Sequence, residues 1–139
     1  MQSFKILFIF IFGLIVGFVL SLTFLNLDLG DRVAQPAEGG LETSLMVDSG
    51  ERIIVCRTTL EESKNTVFDL LEICAESENF EIDYKTYEGL GVLVNSIAGS
   101  PSTESRFWQY WVNNEYAEVS ADNFNLEDED VVLWKLTSY

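Results

Sequence analysis

The segment Phe107-Trp108-Gln109-Tyr110-Trp111-Val112 places four aromatic side chains in six residues, and the polar break Asn113-Asn114-Glu115 follows it. Aromatic residues at this density suit a pleated, half-buried strand. Side chains alternate between the faces of a strand, so Trp108, Tyr110 and Val112 share one face while Phe107, Gln109 and Trp111 share the other. One face has to cover a core. The other is then free for contact, and aromatic walls of this kind recognise flat apolar ligands.

A second feature divides the chain. Ile6 to Leu25 is a twenty-residue run without a charge, and a helix of that length crosses the roughly 30 Å hydrocarbon core of a bilayer. Lys5 precedes the run, whereas Asp28 and Asp31 follow it. The positive-inside rule then puts the N-terminus in the cytoplasm and the rest outside the cell membrane. The run is long for a cleaved signal peptide, and no small-x-small site follows directly, so residues 1–27 read as an uncleaved signal anchor. Residues 28–50 carry Pro36, Gly39, Gly40 and Gly50 among acidic and small residues and read as an extended linker. The folded domain is expected over 51–139.

Charge and composition exclude several functions. The net charge is −15, with 22 of the 23 acidic residues and seven of the eight basic ones beyond Asp28. Such a body repels phosphate backbones, which argues against nucleic acid as a partner. There is no histidine, which removes the commonest general base and nitrogen metal ligand. No nucleophile elbow, phosphate-cradling loop or defensible carboxylate pair is present, so no catalytic residue and no metal ligand is nominated. The acidic turn Glu127-Asp128-Glu129-Asp130 lacks the ligand spacing and central glycine of a calcium loop and reads as a solvated turn.

Within 51–139 the elements follow from periodicity. Arg52 to Arg57 is a β-branched run bounded by Gly50 and Thr58-Thr59. Thr66 and Asp69 stand at capping-box spacing, and Val67, Leu70, Leu71 and Cys74 form one apolar stripe of a short helix. Phe80, Ile82 and Tyr84 alternate with acidic and basic neighbours, as in a half-exposed strand. Gly89 and Gly91 mark a turn or a close backbone approach before the strand Val92–Ile97. Residues 98–105 read as a polar loop, Tyr116–Val119 as a short strand after the aromatic one, and Val131–Leu136 as the last strand. One helix among several strands gives an α+β domain with a small mixed sheet, for which a β-grasp-like order is one arrangement. Cys56 and Cys74 form either an extracytoplasmic disulfide or a pair of buried thiols, two outcomes that sequence alone leaves open.

With the elements placed, the chain resembles the C-terminal domain of the transcobalamin and intrinsic factor family and its bacterial extracytoplasmic relatives, a domain often without an assigned function. Four pieces carry the resemblance. They are Thr66-Val67-Phe68-Asp69-Leu70-Leu71, Gly91-Val92-Leu93-Val94-Asn95-Ser96-Ile97, Phe107-Trp108-Gln109, and Ala121-Asp122 with the acidic turn and closing strand. In that family the domain is a lid over one face of a corrinoid, the other face lying on a separate helical domain. The resemblance implies a corrinoid, cobalamin-like ligand contacted by Gly89, Val94, Tyr110 and Tyr116, with no tightly bound cofactor. Two positions depart from the bacterial relatives: Asn113-Asn114 stands for Asn-Gly, and Glu129 stands for glycine. The helical half is absent, so a second envelope protein is expected to complete the site. The implied function is a membrane-anchored, non-enzymatic ligand-binding module. The alternative is an interaction or structural domain of the envelope.

Overall fold

The computed structural model describes residues 39–138. The expected membrane anchor and residues 28–38 of the expected linker lie outside these residues. The described residues all belong to one compact unit. Its elements are β1 (Gly40–Asp48), β2 (Ile53–Glu61), α1 (Val67–Ser77), β3 (Ile82–Tyr87), β4 (Gly91–Ile97), β5 (Ser100–Pro101), β6 (Phe107–Val112), β7 (Glu115–Tyr116) and β8 (Val131–Thr137). They make an α+β fold of two sheets, one of order β2-β1-β8-β6-β7 and one of order β3-β4-β5.

The larger sheet is mixed. β1 and β8 run parallel side by side, and the flanking pairs are antiparallel. Parallel neighbours need a crossover, which the rest of the domain supplies between the first and last strands. This is a β-grasp-like order, and it corrects the linker reading, because residues 40–48 form a strand inside the sheet. The alternation was present in the chain: Thr43, Leu45 and Val47 are buried, while Glu42, Ser44 and Met46 face outward. A threonine on the inner face and a methionine on the outer one blurred it, and the glycine pair at its start read as a break.

The helix forms as its sequence dictates. Thr66 is the N-cap, its hydroxyl accepting from the Asp69 N–H at 3.1 Å while the Asp69 carboxylate accepts from the Thr66 N–H at 2.9 Å. Asn79, at φ 54°, turns the chain away after the last turn, a left-handed conformation that asparagine tolerates. Val67, Leu70, Leu71 and Cys74 are buried on one side against Leu45, Val47 and Leu60 of the sheet. Cys74 and Cys56 form a disulfide, with Cα atoms 5.9 Å apart.

Both turns that depart from the relatives are accommodated. Asn113 and Asn114 take φ 51° and 68°, the left-handed pair that a two-residue hairpin loop requires. Glu129 takes φ 67° and donates its N–H to the Glu42 carbonyl at 2.8 Å. The acidic turn is thus structural. Asp130 accepts from the Asn113 side chain at 2.7 Å and from the Glu127 N–H at 2.8 Å, and Asp128 accepts from the Glu42 N–H at 2.8 Å. These bonds tie β1, the β6–β7 hairpin and the entry to β8 together. The loop 98–105 carries the two-residue β5, and the strand expected over 116–119 is only Glu115–Tyr116.

Candidate functional site

The aromatic strand β6 pairs with β8 along its whole length, whereas β7 covers its other edge only at Trp111 and Val112. Beside Trp108 to Tyr110 the sheet therefore opens into a groove of about 270 Å³ between β4 and residues 116–121. Val94, Tyr110 and Trp134 lie at its floor, and Leu93, Tyr116 and Val119 at its rim.

The resemblance nominates Tyr110 for ligand contact, which places it on the free face of β6, whereas the structure puts its face against the core. Trp108, Tyr110 and Val112 face the core, and Phe107, Gln109 and Trp111 face outward. The reason is size and polarity. The inner face needs the larger apolar fill next to Trp134 and Phe124, and the one polar amide in the strand, Gln109, goes to the other side. Tyr110 is only 6% exposed. Its ring lies 5.1 Å from Trp134 and 6.2 Å, edge-on, from Phe124. Its hydroxyl donates to the Val119 carbonyl at 2.7 Å, so a buried phenol has the partner it needs.

Of the four residues implied by the resemblance, three line this groove: Val94, 4% exposed, and Tyr110 in the floor, and Tyr116, 49% exposed, at the sheet edge, where its ring also packs 5.6 Å from Trp111 of the outer face. Gly89 does not line it. It sits in the β3–β4 turn at φ 76°, and a β-carbon there would meet open space. The glycine that matters to the groove is Gly91. Its φ is 92°, and an added β-carbon would fall 2.5 Å from Ser120 Oγ and 2.6 Å from Ser120 Cβ. The backbone comes this close because Val92 is clasped. Its N–H donates to Ser120 Oγ at 2.8 Å and to Asp122 Oδ1 at 3.0 Å, and the Ser120 hydroxyl lies against both the Val92 carbonyl and the Asp122 carboxylate. This clasp fastens β4 to the 117–121 segment and so fixes the groove's width. Sequence reasoning found Gly91 and Asp122 as motif residues but missed the rim residues Leu93 and Val119. The signal for Leu93 was an apolar side chain out of phase with the buried Val94.

Electrostatics separate two groups near the floor. The hydrogen bond from Ser120 holds the Asp122 carboxyl below the usual range, aided by the Val92 N–H and opposed in part by burial. Burial, and then the nearby Asp122 and Tyr116, push the Tyr110 phenol up to about 12. Below pH 10 the phenol is protonated in folded and unfolded chains alike, and stability is unaffected. Between about pH 10 and 12 only the unfolded phenol ionises, so stability falls as pH rises through that window. An absorbance titration at 295 nm is expected to show one of the five tyrosines ionising near pH 12, and Tyr110→Phe to remove that step. Tyr110→Phe also loses the bond to Val119, a cost of about 1–2 kcal/mol in urea unfolding.

A larger depression of about 430 Å³ adjoins the groove, sharing Tyr116 and Ala117 with it and reaching Phe124, Glu127 and Asp130. Among the described residues no group of three or more His, Cys, Asp or Glu side chains could hold a metal ion.

Comparison with known proteins fits this geometry. The model of the family described as "Domain of unknown function (DUF4430)" matches residues 65–138, just over half of the chain. No curated protein matches the chain. Among solved structures, a proposed metal-binding protein from Ruminococcus gnavus ATCC 29149 aligns with a TM-score of 0.55 at 16% identity, over 71% of this chain and 98% of that one. Haptocorrin in complex with Cbi aligns with a TM-score of 0.62 at 10% identity, over 76% of this chain and 27% of haptocorrin. At such identities the likeness is one of fold. It agrees with the resemblance to the transcobalamin family's C-terminal domain, and β1, which that resemblance did not include, is part of the same compact unit. The residues matched run from the N-cap of α1 through β8, and on that match the chain belongs to the DUF4430 family of domains of unknown function.

Proposed function

We propose that this chain is a membrane-anchored, extracytoplasmic module that binds a corrinoid in the groove between β4 and β6, without catalysing a reaction. The carrying observation is that a haptocorrin-like fold brings Val94, Tyr110 and Tyr116, three residues nominated from sequence, to one concavity. The groove's volume, about 270 Å³, falls below the roughly 300–1,000 Å³ of closed ligand pockets. Such a groove holds one edge or face of a corrin ring and leaves the rest for a second envelope protein. The disulfide supports an oxidising location, in keeping with the anchor's orientation. The chain has no histidine, the commonest general base near neutral pH, and the reading is accordingly one of binding.

Titrating the full-length chain with cobinamide while following tryptophan emission tests the proposal. Saturable quenching with a dissociation constant in the micromolar to millimolar range is expected, and Leu93→Glu, at the exposed rim, is expected to weaken it at least tenfold. The absence of saturable quenching at millimolar ligand would remove stand-alone binding.

One observation favours the second reading, a protein-interaction domain. On the sheet face away from α1, Val55, Met46, Leu133, Trp111 and Tyr116 are successive cross-strand neighbours. They form an apolar row across all five strands, and Val55 and Tyr116 in it are exposed. Rows of this kind mark contact surfaces.

A further inference from the structure

Trp134 is 3% exposed and lines the floor of the groove, yet its indole Nε1 is buried with no hydrogen-bond partner in the chain. A buried donor left unpaired is destabilising, and buried side-chain donors are normally paired. The other floor donors are spoken for. The Trp108 indole N–H donates to the Ser100 carbonyl at 2.8 Å, and the Tyr110 hydroxyl to Val119 at 2.7 Å. Among the described residues two buried side-chain donors lack a partner, the Trp134 indole and the Gln109 amide; Gln109 belongs to the outer face of β6, so Trp134 is the one on the inner, aromatic side of the groove.

Charge decides what can meet it. The lining residues include Glu118 and no lysine or arginine, and the chain as a whole carries −15. An anionic acceptor, carboxylate or phosphate, would enter a low-dielectric cleft against like charge and without a cation to balance it. An uncharged carbonyl oxygen has no such cost. On this side of β6 the Tyr110 carbonyl accepts from the Ala117 N–H at 3.2 Å, and no strand pairs the edge at Trp108, so an amide N–H beside the ligand's carbonyl has the Trp108 edge of the main chain within the same cleft.

We infer that the groove is selective for a neutral carboxamide, whose carbonyl oxygen accepts from the Trp134 indole N–H, and that it rejects the corresponding carboxylate. This deepens the corrinoid reading and rests on the same groove. It assigns the amide-bearing edge of the ligand to the floor and directs any phosphate-bearing end away from it. The class is wider than corrinoids and is testable without one.

The chain has three tryptophans, so the indole region of a 1H–15N spectrum of the full-length chain in lipid nanodiscs holds three side-chain signals. Trp134→Phe identifies the one in question, and Trp108, already bonded, serves as the internal reference. Adding N-methylacetamide is expected to shift the Trp134 signal saturably, leaving Trp108 in place, and acetate at equal concentration is expected to do neither. No shift with the amide, or an equal shift with acetate, overturns the inference. Cobinamide and its heptacarboxylate analogue, cobyrinic acid, form the second arm. Binding of the amide form at least tenfold tighter than the acid form, with most of that preference lost in Trp134→Phe, supports the inference. Equal binding of the two overturns it. A response to N-methylacetamide with no response to either corrinoid upholds carboxamide selectivity and overturns the corrinoid reading alone.

Discussion

Replacing Gly91 with alanine is expected to destabilise the domain by about 2–4 kcal/mol, from backbone strain at positive φ together with overpacking. Both causes are local and separable. At φ 92° an L-residue is strained whatever the space. In addition, the new methyl would collide with the Ser120 side chain and the Asp122 carboxylate, the two groups that bind the Val92 N–H. These acceptors cannot retreat without giving up that N–H, so relief of the clash breaks the clasp. Gly89 supplies the control. It shares a positive φ of 76° but faces open space, so Gly89→Ala carries the strain alone, about 1–2 kcal/mol. Urea unfolding of the two variants separates the terms. Equal midpoints would show that close packing at Gly91 contributes nothing. Because the clasp sets the groove's width, Gly91→Ala is also expected to weaken ligand binding at urea concentrations where the fold is intact.

Removing the disulfide is expected to be of similar size. Cys56 and Cys74 close a loop with a sequence separation of 18, which on chain-entropy grounds stabilises by roughly 3 kcal/mol. That is a large share of the about 5–15 kcal/mol available to a small domain. Both cysteines are buried, so the double replacement by alanine leaves a modest cavity and no orphaned thiol. The double variant should lower the urea midpoint, and strong reductant should move the unmodified chain to about the same value. An unchanged midpoint in both would mean that packing between β2 and α1 suffices.

Much of this architecture was legible in the chain. The helix announced itself through Thr66 and Asp69 and the Val67–Cys74 stripe, and β6 and β8 through their aromatic and β-branched runs. What escaped was governed by tertiary context. β1 is an inner strand whose inward positions include Thr43 and whose outward ones include Met46, so local hydropathy did not mark its faces. The two faces of β6 were correctly separated by alternation, but which one met the core depended on Trp134 and Phe124, more than ten residues away in sequence. The site shows the same division. Val94, Tyr110, Tyr116 and Gly89 are implied by the family resemblance, and the first three line one groove while Gly89 does not; Leu93, Val119 and the unpartnered Trp134 donor emerge only when β4, the 117–121 segment and β8 are brought together.

The central claim is that the groove between β4 and β6 is where a ligand binds. Mapping backbone amide shifts of the full-length chain during addition of cobinamide tests it most directly. The account predicts saturable shifts concentrated at 91–94, 107–110 and 116–121, with the outer row at Met46, Val55 and Leu133 unmoved. Shifts centred on that outer row, or no saturable shift anywhere, would contradict it.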